Sequence, residues 1–515
     1  MRALLVQPLT PTTYWGFQHS LRIVGKSAAL PPLGLASLAA LLPRSWELRI
    51  KDLNLAPLRD NDLRWADAVL LTGMLVHAPS MHEVLARARR LGRRTIVGGP
   101  AANTDPSAFP DADHVFRGEA EGRVELLVRA LEGAGPAPRL LSPPDGARPD
   151  MSAVPAPRFD LLDRRRYASM SIQFSRGCPF HCEFCDIVEV FGHTPRVKFP
   201  TQMLAELDAL SRTGYRGTLF VVDDNFIGNR RAVAELLPHV QAWQEERGFP
   251  FELYTEASVD LASQPQLLSA MVAAGFSTVF VGLESPSTES LRAVGKLQNL
   301  RMDPAEAVLR LTHAGLEVYA GFIVGFDTDG PDIFQAQRAF VSALPIPTAM
   351  VGLLQALPGT ALWRRLEREG RLRPGCGGDQ FDRPNFVPTL DEGALIEGYA
   401  SLLASLYEPE AFYRRCERVV DEIGRGAPHH LRPGGISALL RAALAIGVLS
   451  PRRRLFWRLL WRALRCNPSA FARAVGQAVQ GEHLIRYTRE DVLPRLERTL
   501  VEIACGRASS VRAHG

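Results

Sequence analysis

Short apolar runs alternate with amphipathic segments along residues 1–132. The runs predict β-strands because they are short and are followed by glycine or turn-forming residues; they lie at 3–7, 47–53, 68–72, 95–97 and 114–116. The segments between them, such as 32–42 and 80–91, have the apolar spacing of helices. We therefore expect an α/β domain in which a parallel sheet carries helices on both faces.

A second alternation of strands and helices occupies residues 165–390. Six strands are predicted in succession, at 171–174, 217–222, 251–256, 278–283, 318–324 and 349–354. The helices between them are predicted at 201–212, 230–246, 261–275, 304–314 and 335–343. This order predicts a partial (β/α)6 barrel of the TIM type, whose chemistry belongs at the carboxyl ends of the strands.

Two further regions complete the chain, which at 515 residues is too long for a single core. Residues 133–157 contain seven prolines and cannot form a helix or a central strand, so we assign 133–164 to a linker. Residues 391–515 are helical in pattern, with helices predicted at 392–406 and 411–423, and we assign them to an α-helical domain.

The segment from Arg452 to Cys466 predicts a basic amphipathic helix. Trp457 and Trp461 lie beside a stripe of arginines that recurs every three or four residues and consists of Arg454, Arg458, Arg462 and Arg465. Such a helix can lie in a membrane interface. It can equally pack on the barrel with its basic face in solvent, and the sequence leaves both interpretations open.

The composition is ordinary for a globular protein, with 46% hydrophobic and 22% charged residues. The net charge of +5 is small for this length, and we expect no nucleic-acid partner. The first apolar run ends too early for a secretory signal, and no run is long enough to cross a membrane. We expect a cytoplasmic protein, with peripheral binding at the inner face of the membrane if the basic helix meets lipid.

Three of the seven cysteines lie within eight positions, as Cys178, Cys182 and Cys185. A structural zinc site has four ligands, and no second cysteine pair is present. Iron–sulfur clusters also use four thiolates, so three cysteines suggest a cubane cluster with one iron open to another ligand. A different metal with His181 or His193 as fourth ligand is the alternative. The remaining cysteines stand alone, which argues against a second cluster.

The three cysteines, with Phe184 directly before the last, resemble the signature of the radical S-adenosylmethionine (SAM) enzymes. In that family the thiolates hold a [4Fe-4S] cluster whose fourth iron binds the amino and carboxylate groups of SAM. Reduction of the cluster cleaves SAM, and a 5′-deoxyadenosyl radical removes hydrogen from an unactivated carbon. The resemblance implies these roles for Cys178, Cys182 and Cys185, and an external reductant such as flavodoxin or ferredoxin.

The resemblance also implies SAM contacts at the ends of the barrel strands. The family's glycine-rich turn for the SAM amino group corresponds here to Asp223-Asp224-Asn225, which departs from the family pattern. Phe184 is expected near the adenine. The other contacts expected for the ribose and adenine are Glu284, Gly321, Ile323 and Gly325. Each could instead serve ordinary strand-end roles, such as capping the next helix.

A Rossmann-like domain before this motif resembles the cobalamin-binding domain of B12-dependent radical SAM enzymes. Doubly wound sheets bind ligands at their strand ends, and we expect cobalamin contacts in the three turns Gly73-Met74, Gly98-Gly99 and Gly118-Glu119. The dinucleotide pattern G-x-G-x-x-G does not follow the first strand. The D-x-H-x-x-G pattern is missing too, so we expect no cobalt-bound histidine from that motif. A sheet domain without ligand is the alternative.

Features along nearly the whole chain, including residues 222–226 and the tryptophan-rich segment before Asn467, resemble the B12-binding radical SAM subgroup that includes hopanoid C-2 methylases. The resemblance implies a cobalamin-dependent methyltransferase that acts on an unactivated carbon of an apolar, polycyclic lipid. One alternative is an oxidative or ring-forming enzyme of the tetrapyrrole or lipid cyclase type. Another is a non-catalytic iron–sulfur protein that senses B12 or redox state.

Overall fold

The computed structural model describes residues 1–133, 137–143, 148–373, 378–424 and 435–513, with side chains as far as Cys505. It contains two six-stranded parallel sheets and a C-terminal set of helices. The expected architecture, an N-terminal α/β domain before a partial (β/α)6 barrel and a helical region, is confirmed.

The first sheet has the strand order β2-β1-β3-β4-β5-β6. Its strands are β1 (Arg2–Gln7), β2 (Glu47–Asp52), β3 (Ala68–Thr72), β4 (Arg94–Gly98), β5 (His114–Phe116) and β6 (Leu140–Leu141). Its helices are α1 (Gln18–Leu21), α2 (Leu33–Leu41), α3 (Asp60–Trp65), α4 (Ala78–Arg90), α5 (Pro100–Thr104) and α6 (Val124–Glu132). Along β3, Ala68 and Leu70 enter one core and Val69 and Leu71 the other, so both faces are covered.

The short strand β6 lies within the proline-rich segment that we assigned to the linker. It pairs only with β5, at the edge of the sheet, where proline-rich chain is tolerated because one side needs no ladder hydrogen bonds. Residues 134–136 and 144–147 of the same segment lie outside the described residues.

The second sheet is the open barrel, with strand order β14-β13-β12-β11-β10-β7. The strands of this region are β7 (Ser169–Ile172), β8 (Ser175–Arg176), β9 (Arg196–Val197), β10 (Gly217–Val221), β11 (Phe251–Glu256), β12 (Phe276–Glu284), β13 (Glu317–Val324) and β14 (Ala349–Leu353). Its helices are α7 (Ile187–Phe191), α8 (Pro200–Arg212), α9 (Arg230–Glu246), α10 (Pro265–Ala273), α11 (Thr288–Ala293), α12 (Pro304–His313), α13 (Ile333–Ser342) and α14 (Ala361–Arg368). Strands β8 and β9 form a separate antiparallel ribbon.

Both edges of the open barrel are covered by other parts of the chain. At β7, the backbone N–H groups of Ala168 and Ser169 donate to the carbonyls of Ala28 and Ala29. At β14, the hydroxyls of Tyr407 and Tyr399 donate to backbone carbonyls of the strand. These contacts satisfy backbone groups that an exposed edge strand would leave unpaired.

The C-terminal helices close the amino-terminal end of the barrel. They are α15 (Glu392–Leu406), α16 (Pro409–Glu422), α17 (Gly435–Ala442), α18 (Arg453–Cys466), α19 (Phe471–Tyr487) and α20 (Leu493–Ala513). On α19, Arg473 contacts Glu317 at 2.9 Å and the amide of Gln480 donates to the Tyr319 hydroxyl at 2.6 Å. Since Glu317 begins β13, α19 lies across the strand ends opposite those expected to carry the chemistry.

The predicted basic helix is present as α18, but its arginine stripe is not simply solvated. Arg458 forms ion pairs with Glu410 and Glu417, and Arg462 pairs with Asp421, all on α16. Half of the stripe therefore holds α18 against α16. Among the residues that the structure describes, no helix has both the length and the hydropathy required to cross a bilayer.

Candidate functional site

The cysteine motif lies in the loop between β8 and β9. Gly177 opens it with a positive φ of 98°, and a Cβ there would lie 2.8 Å from the carbonyl oxygen of Gly192, so only glycine fits. The N–H of Cys178 then donates to the same carbonyl at 3.2 Å, which closes the loop. Cys178, Cys182 and Cys185 are half-buried free thiols. Cys376 lies outside the described residues.

Asp223 anchors this loop to the barrel. Its carboxylate accepts hydrogen bonds from the backbone N–H groups of Phe174 and Ser175, both at 2.8 Å, and from the Ser175 hydroxyl at 2.6 Å. Burial raises its pKa to about 6, against the opposing effect of these hydrogen bonds. The same contacts explain why β7 ends at Ile172 rather than at residue 174: Phe174 has turned away from the sheet toward Asp223.

Burial disfavours the thiolate form of two cysteines in this loop. It raises the pKa of the Cys178 thiol above its usual range and raises that of Cys185 further. Thiolates are the forms that bind metal. The positive charge of bound iron must therefore stabilise the deprotonated cysteines, because the protein surroundings do not. The loop is consequently suited to gain its cluster and lose its protons together.

Two amide groups point at the cysteine sulfurs. The Asn225 Nδ2 lies 3.9 Å from Cys178 Sγ, and the Gln298 Nε2 lies 3.6 Å from Cys182 Sγ. Hydrogen bonds to cluster sulfurs stabilise the more negative, reduced state and so tune the reduction potential. The sequence analysis identified Asn225 for a different reason and missed Gln298, which is distant in sequence and has no motif around it.

Asp224 has a buried carboxylate oxygen without a partner among the described residues. One end of the carboxylate accepts the N–H of Gly177, while Oδ2 has neither solvent nor a hydrogen-bond donor. Burial and the neighbouring Asp223 charge raise the pKa of Asp224 to about 7. A buried acceptor beside the cysteine loop fits the ammonium group of SAM, which makes this turn compatible with that cofactor despite its departure from the family pattern.

Glu284 and Lys296 form a buried ion pair on the other side of the loop. Glu284 has φ of 63°, a strained conformation for a residue with a side chain and one that clusters at functional sites. Burial lowers the pKa of Lys296, but Glu284, Cys182 and Cys185 outweigh it and the net shift is upward. The Phe184 ring lies 5.9 Å from the Lys296 ammonium, which places all three residues at the loop.

Lys296 was not predicted as a site residue, although the composition contained a clue. Only four of the 60 basic residues are lysines: Lys26, Lys51, Lys198 and Lys296. Two of these, Lys198 and Lys296, are buried in ion pairs in the barrel. In a chain that otherwise uses arginine, a lysine marks a place where a compact ammonium is required.

The three residues of β13 and its following turn that were expected to contact SAM have different surroundings. Gly321 faces the inside of the barrel opposite Gly282, where a Cβ would come 2.9 Å from the Phe280 ring. Ile323 packs in the same apolar cluster as Phe184. Gly325 has φ of 98° and donates its N–H to Asp329 at 2.9 Å. The structure thus brings Ile323 toward the loop, while Gly321 leaves space beside an aromatic ring.

The turns expected to bind cobalamin follow the carboxyl ends of β3, β4 and β5 in the first sheet. Gly99 has φ of 85°, and a Cβ there would lie 2.0 Å from the Thr72 hydroxyl, so this turn requires glycine. Gly118 has φ of 105° and donates its N–H to the Asn103 side chain at 2.7 Å. The remaining residues of these turns are Gly73, Gly98, the exposed Met74 and Glu119. These turns present backbone and one flexible thioether, because the carboxylate of Glu119 is paired with Arg176 and Arg196.

His77 follows the first of these turns and directly precedes α4. A histidine at a helix entry is expected to be solvated, but His77 is buried. Its Nδ1 accepts the Met74 N–H at 3.0 Å, so Nε2 carries the proton and donates to the Thr10 hydroxyl at 3.2 Å. Burial lowers the pKa of His77. Both ring nitrogens are thereby used within the protein.

Glu119 joins the first sheet to the cysteine loop. Its carboxylate contacts Arg176 of β8 at 2.6 Å and Arg196 of β9 at 2.7 Å, and Glu121 contacts Arg176 at 2.8 Å. Helix α5, which follows the Gly98-Gly99 turn, also packs against α7, which follows Cys185. The strand ends of the first sheet therefore face the cysteine loop.

The inside of the barrel is lined by aromatic rings. Phe220 and Tyr254 stack with their centroids 4.6 Å apart, and Trp15, from the first domain, packs on Phe280 at 4.8 Å. Glu256 lies beside Phe280 in the strand register. Burial, with the charges of Asp224 and Asp223, raises the pKa of Glu256 to about 8, so it is largely a neutral acid at pH 7. The lining is mainly aromatic, with the Tyr254 hydroxyl and the Glu256 carboxyl as polar groups.

The two histidines considered as the fourth ligand of a single metal ion lie against each other. The His181 and His193 rings stack on one another with centroids 3.8 Å apart. Within the described ranges, no three His, Cys, Asp or Glu side chains converge as the ligands of one ion would.

Three protein-family models match successive parts of the chain. Residues 26–128 match the B12 binding domain, residues 172–336 match the Radical SAM superfamily, and residues 360–493 match a domain of unknown function, DUF4070. This pair of domains is the one that takes a [4Fe-4S] cluster, SAM and cobalamin, as expected from the sequence.

Curated relatives cover nearly the full chain. An uncharacterized methyltransferase from Synechocystis sp. is 40% identical over 95% of this chain and 92% of its own. The hopanoid C-2 methylase of Rhodopseudomonas palustris is 34% identical over 95% and 94%. The bacteriochlorophyllide d C-12(1)-methyltransferase of Chlorobaculum tepidum is 24% identical over 80% and 89%.

Solved structures support the fold. The cobalamin-dependent SAM radical enzyme OxsB, with aqua-cobalamin bound, superposes with a TM-score of 0.59 over 97% of this chain and 83% of its own, at 14% identity. The radical SAM methyltransferase TsrM from Kitasatospora setae, with cobalamin and [4Fe-4S] cluster bound, gives 0.58 over 73% and 79%, at 17% identity.

The amide donor at Cys182 yields a first prediction. Gln298→Leu removes the N–H group that stabilises the reduced cluster, so we expect normal iron content but a midpoint potential lower by tens of millivolts. A redox titration followed by electron paramagnetic resonance (EPR) measures it. Gln241→Leu, on the exposed face of α9, is the matched control. An unchanged potential in Gln298→Leu would show that its amide does not act on the cluster.

Proposed function

The chain belongs to the B12-binding radical SAM methyltransferase family, and we propose that it methylates an unactivated carbon of an apolar, polycyclic lipid of the hopanoid type. The observation that carries the proposal is the 34% identity to a hopanoid C-2 methylase, which extends over 95% of the chain and includes all three regions of the fold. The aromatic lining of the barrel supports it, because flat apolar rings suit a fused hydrocarbon skeleton.

The chain's own residues bind and orient the cofactors and exclude water. Cys178, Cys182 and Cys185 hold the cluster, and Asp223 fixes the loop that carries them. When bound, the cofactors supply one-electron reduction, hydrogen abstraction and a transferable methyl group. An external reductant of the flavodoxin or ferredoxin type would deliver the electron.

We assign the SAM contacts to side chains that lie at the cysteine loop. Asp224 Oδ2 would accept the SAM ammonium, because it is a buried carboxylate oxygen without a donor among the described residues. Phe184 would pack on the adenine beside Ile323, and Glu284 would face the ribose. Asp223 and Asn225 serve the loop and Cys178, and Gly321 and Gly325 shape the space and the turn rather than offering side chains.

Cobalamin would lie on the strand ends of the first sheet. Gly73, Gly98, Gly99 and Gly118 allow close approach of the corrin to the backbone, and Met74 would pack on it. Glu119 would then act indirectly, since its carboxylate already binds Arg176 and Arg196. The substrate would lie between this surface and the cysteine loop.

A tetrapyrrole is the second candidate substrate, favoured by the relative that methylates bacteriochlorophyllide d. A tetrapyrrole is also flat and apolar, so the aromatic lining does not distinguish the two substrates.

Product mass distinguishes methylation from the ring-forming or oxidative alternative. Methylation adds one CH2, whereas cyclisation removes hydrogens and oxidation adds oxygen.

The substrate is tested in a hopanoid-producing host that lacks its own C-2 methylase. Cells expressing the wild-type chain are expected to contain hopanoids heavier by one CH2. When the cells are fed methionine with a CD3 group, the product should gain three further mass units, because CD3 replaces one hydrogen. Mass spectrometry of extracted lipids measures this. Cys182→Ala should abolish the product, whereas Cys466→Ala, an exposed cysteine outside the loop, should not.

Assays of the purified enzyme test the radical reaction independently of the lipid substrate. If reduced, reconstituted protein releases 5′-deoxyadenosine but no lipid changes mass in the host, the radical chemistry stands and the lipid substrate is wrong. If the same protein methylates a tetrapyrrole, the second candidate replaces the first.

The SAM assignment is tested by Asp224→Asn. The amide keeps the volume but loses the charge opposite the ammonium, and we expect about tenfold weaker SAM binding, the cost of one charge-assisted hydrogen bond. Equilibrium dialysis of labelled SAM against cluster-loaded protein measures it. Glu246→Gln, an exposed acid on α9, is the control. Equal affinity in Asp224→Asn, at equal iron content, would contradict the assignment.

A further inference from the structure

The C-terminal helices present an exposed apolar surface that the site does not use. Along α17 and the π-helical turn Ala443–Val448, the exposed large apolar residues are Ile436 (68%), Leu440 (64%), Leu444 (57%) and Val448 (55%). Along α18 they are Trp457 (50%), Trp461 (62%) and Leu464 (51%). Spacings of three and four residues put each set on one helix face.

The two rows meet where the π-helical turn packs on α18, and we call them together the apolar ridge. The Trp457 ring packs against Gly447, and its Nε1 donates to the Gly447 carbonyl at 2.9 Å. This contact joins the end of the π-helical turn to α18. Contiguous apolar surfaces of this kind are uncommon on soluble monomers and usually mark a binding site.

The ridge is not the face by which α18 packs on the protein. Phe456, Leu459 and Leu460 are buried on another face of the helix. Arg458 and Arg462 are held by acidic residues of α16. Apart from the contact of Trp457 with Gly447, these internal contacts of α18 are made by residues outside the ridge, whose side chains remain about half or more exposed.

Unpaired positive charge flanks the ridge. Arg453, Arg454 and Arg465 are exposed, and no acidic side chain in the described part of the chain forms an ion pair with them. The Arg465 guanidinium lies 5.8 Å from the Trp461 ring. Exposed tryptophan and leucine beside free arginine complement a surface that is apolar below and anionic above, as an anionic phospholipid bilayer is.

We propose that α17 and α18 form a docking surface for an anionic phospholipid bilayer. The ridge enters the boundary between headgroups and acyl chains, and Arg453, Arg454 and Arg465 contact lipid phosphates. The sequence treated the arginine stripe as one basic face. In the structure only Arg454 and Arg465 of that stripe are available to lipid, because Arg458 and Arg462 bind α16.

The docking surface adjoins a segment that reaches the barrel. Arg441 of α17 donates to the carbonyl of Val24 at 3.4 Å, and the same stretch of chain carries Trp15, which packs on Phe280 inside the barrel. A bilayer at the ridge would place lipids next to this segment. That consequence for substrate entry rests on the proposed function, whereas bilayer binding does not.

Vesicle flotation of the full chain, with its cluster reconstituted, tests the proposal. Vesicles contain phosphatidylcholine with or without phosphatidylglycerol and no polycyclic lipid, so failure of the substrate proposal leaves the result unaffected. We expect binding to the anionic vesicles. Leu440→Ser with Trp461→Ser should weaken it at least tenfold, and Arg454→Gln with Arg465→Gln about 30-fold, at about fivefold per arginine.

Matched controls exclude general effects of the substitutions. Val387→Ser with Val501→Ser changes two exposed apolar residues elsewhere and should bind as the wild type does. Thermal unfolding confirms that each variant is folded. The proposal is overturned if the wild type stays with neither vesicle, or if folded Leu440→Ser/Trp461→Ser binds normally. It is also overturned if this variant instead dissociates a dimer, since the ridge would then be a contact between copies.

Discussion

A buried cluster of ion pairs holds the two sheets against each other. Arg176 and Arg196, on the two strands that flank the cysteine loop, bind Glu119 and Glu121 at the end of β5, and these side chains are only 6–17% exposed. Removal of one partner from such a cluster leaves an unpaired buried charge, at a cost of about 3–5 kcal/mol. Because the same arginines begin and end the loop, its position depends on the first sheet as much as on the barrel.

The barrel fixes the loop from the other side through Asp223, which binds the backbone before Gly177. The loop is thus held between the carboxyl ends of two parallel sheets, one expected to carry cobalamin and the other SAM. An enzyme that abstracts a hydrogen with one cofactor and delivers a methyl group from another needs the substrate between them. The aromatic interior of the barrel continues this space, and Trp15 of the first domain helps to line it.

Sequence periodicity was sufficient to predict the order of the strands, and the spacing of the three cysteines was sufficient to predict the loop. Both depend on local patterns. Such patterns could not reveal that Glu119 binds Arg176, that Gln298 reaches Cys182 or that Lys296 pairs with Glu284, because these contacts join residues brought together only by the fold. The arginine stripe of α18 was recognised, but whether its charges face α16 or solvent depends on the neighbouring helix. The two-residue strand β6 is too short for any periodicity to indicate it.

The most direct test is the distance between the two metal centres. EPR spectroscopy of protein that holds both the reduced cluster and cob(II)alamin reports their magnetic interaction. If the strand ends of the first sheet face the cysteine loop as the ion pairs require, the two signals will show dipolar broadening and mutual relaxation that neither centre shows alone. Two independent, unperturbed signals in doubly loaded protein would contradict this arrangement.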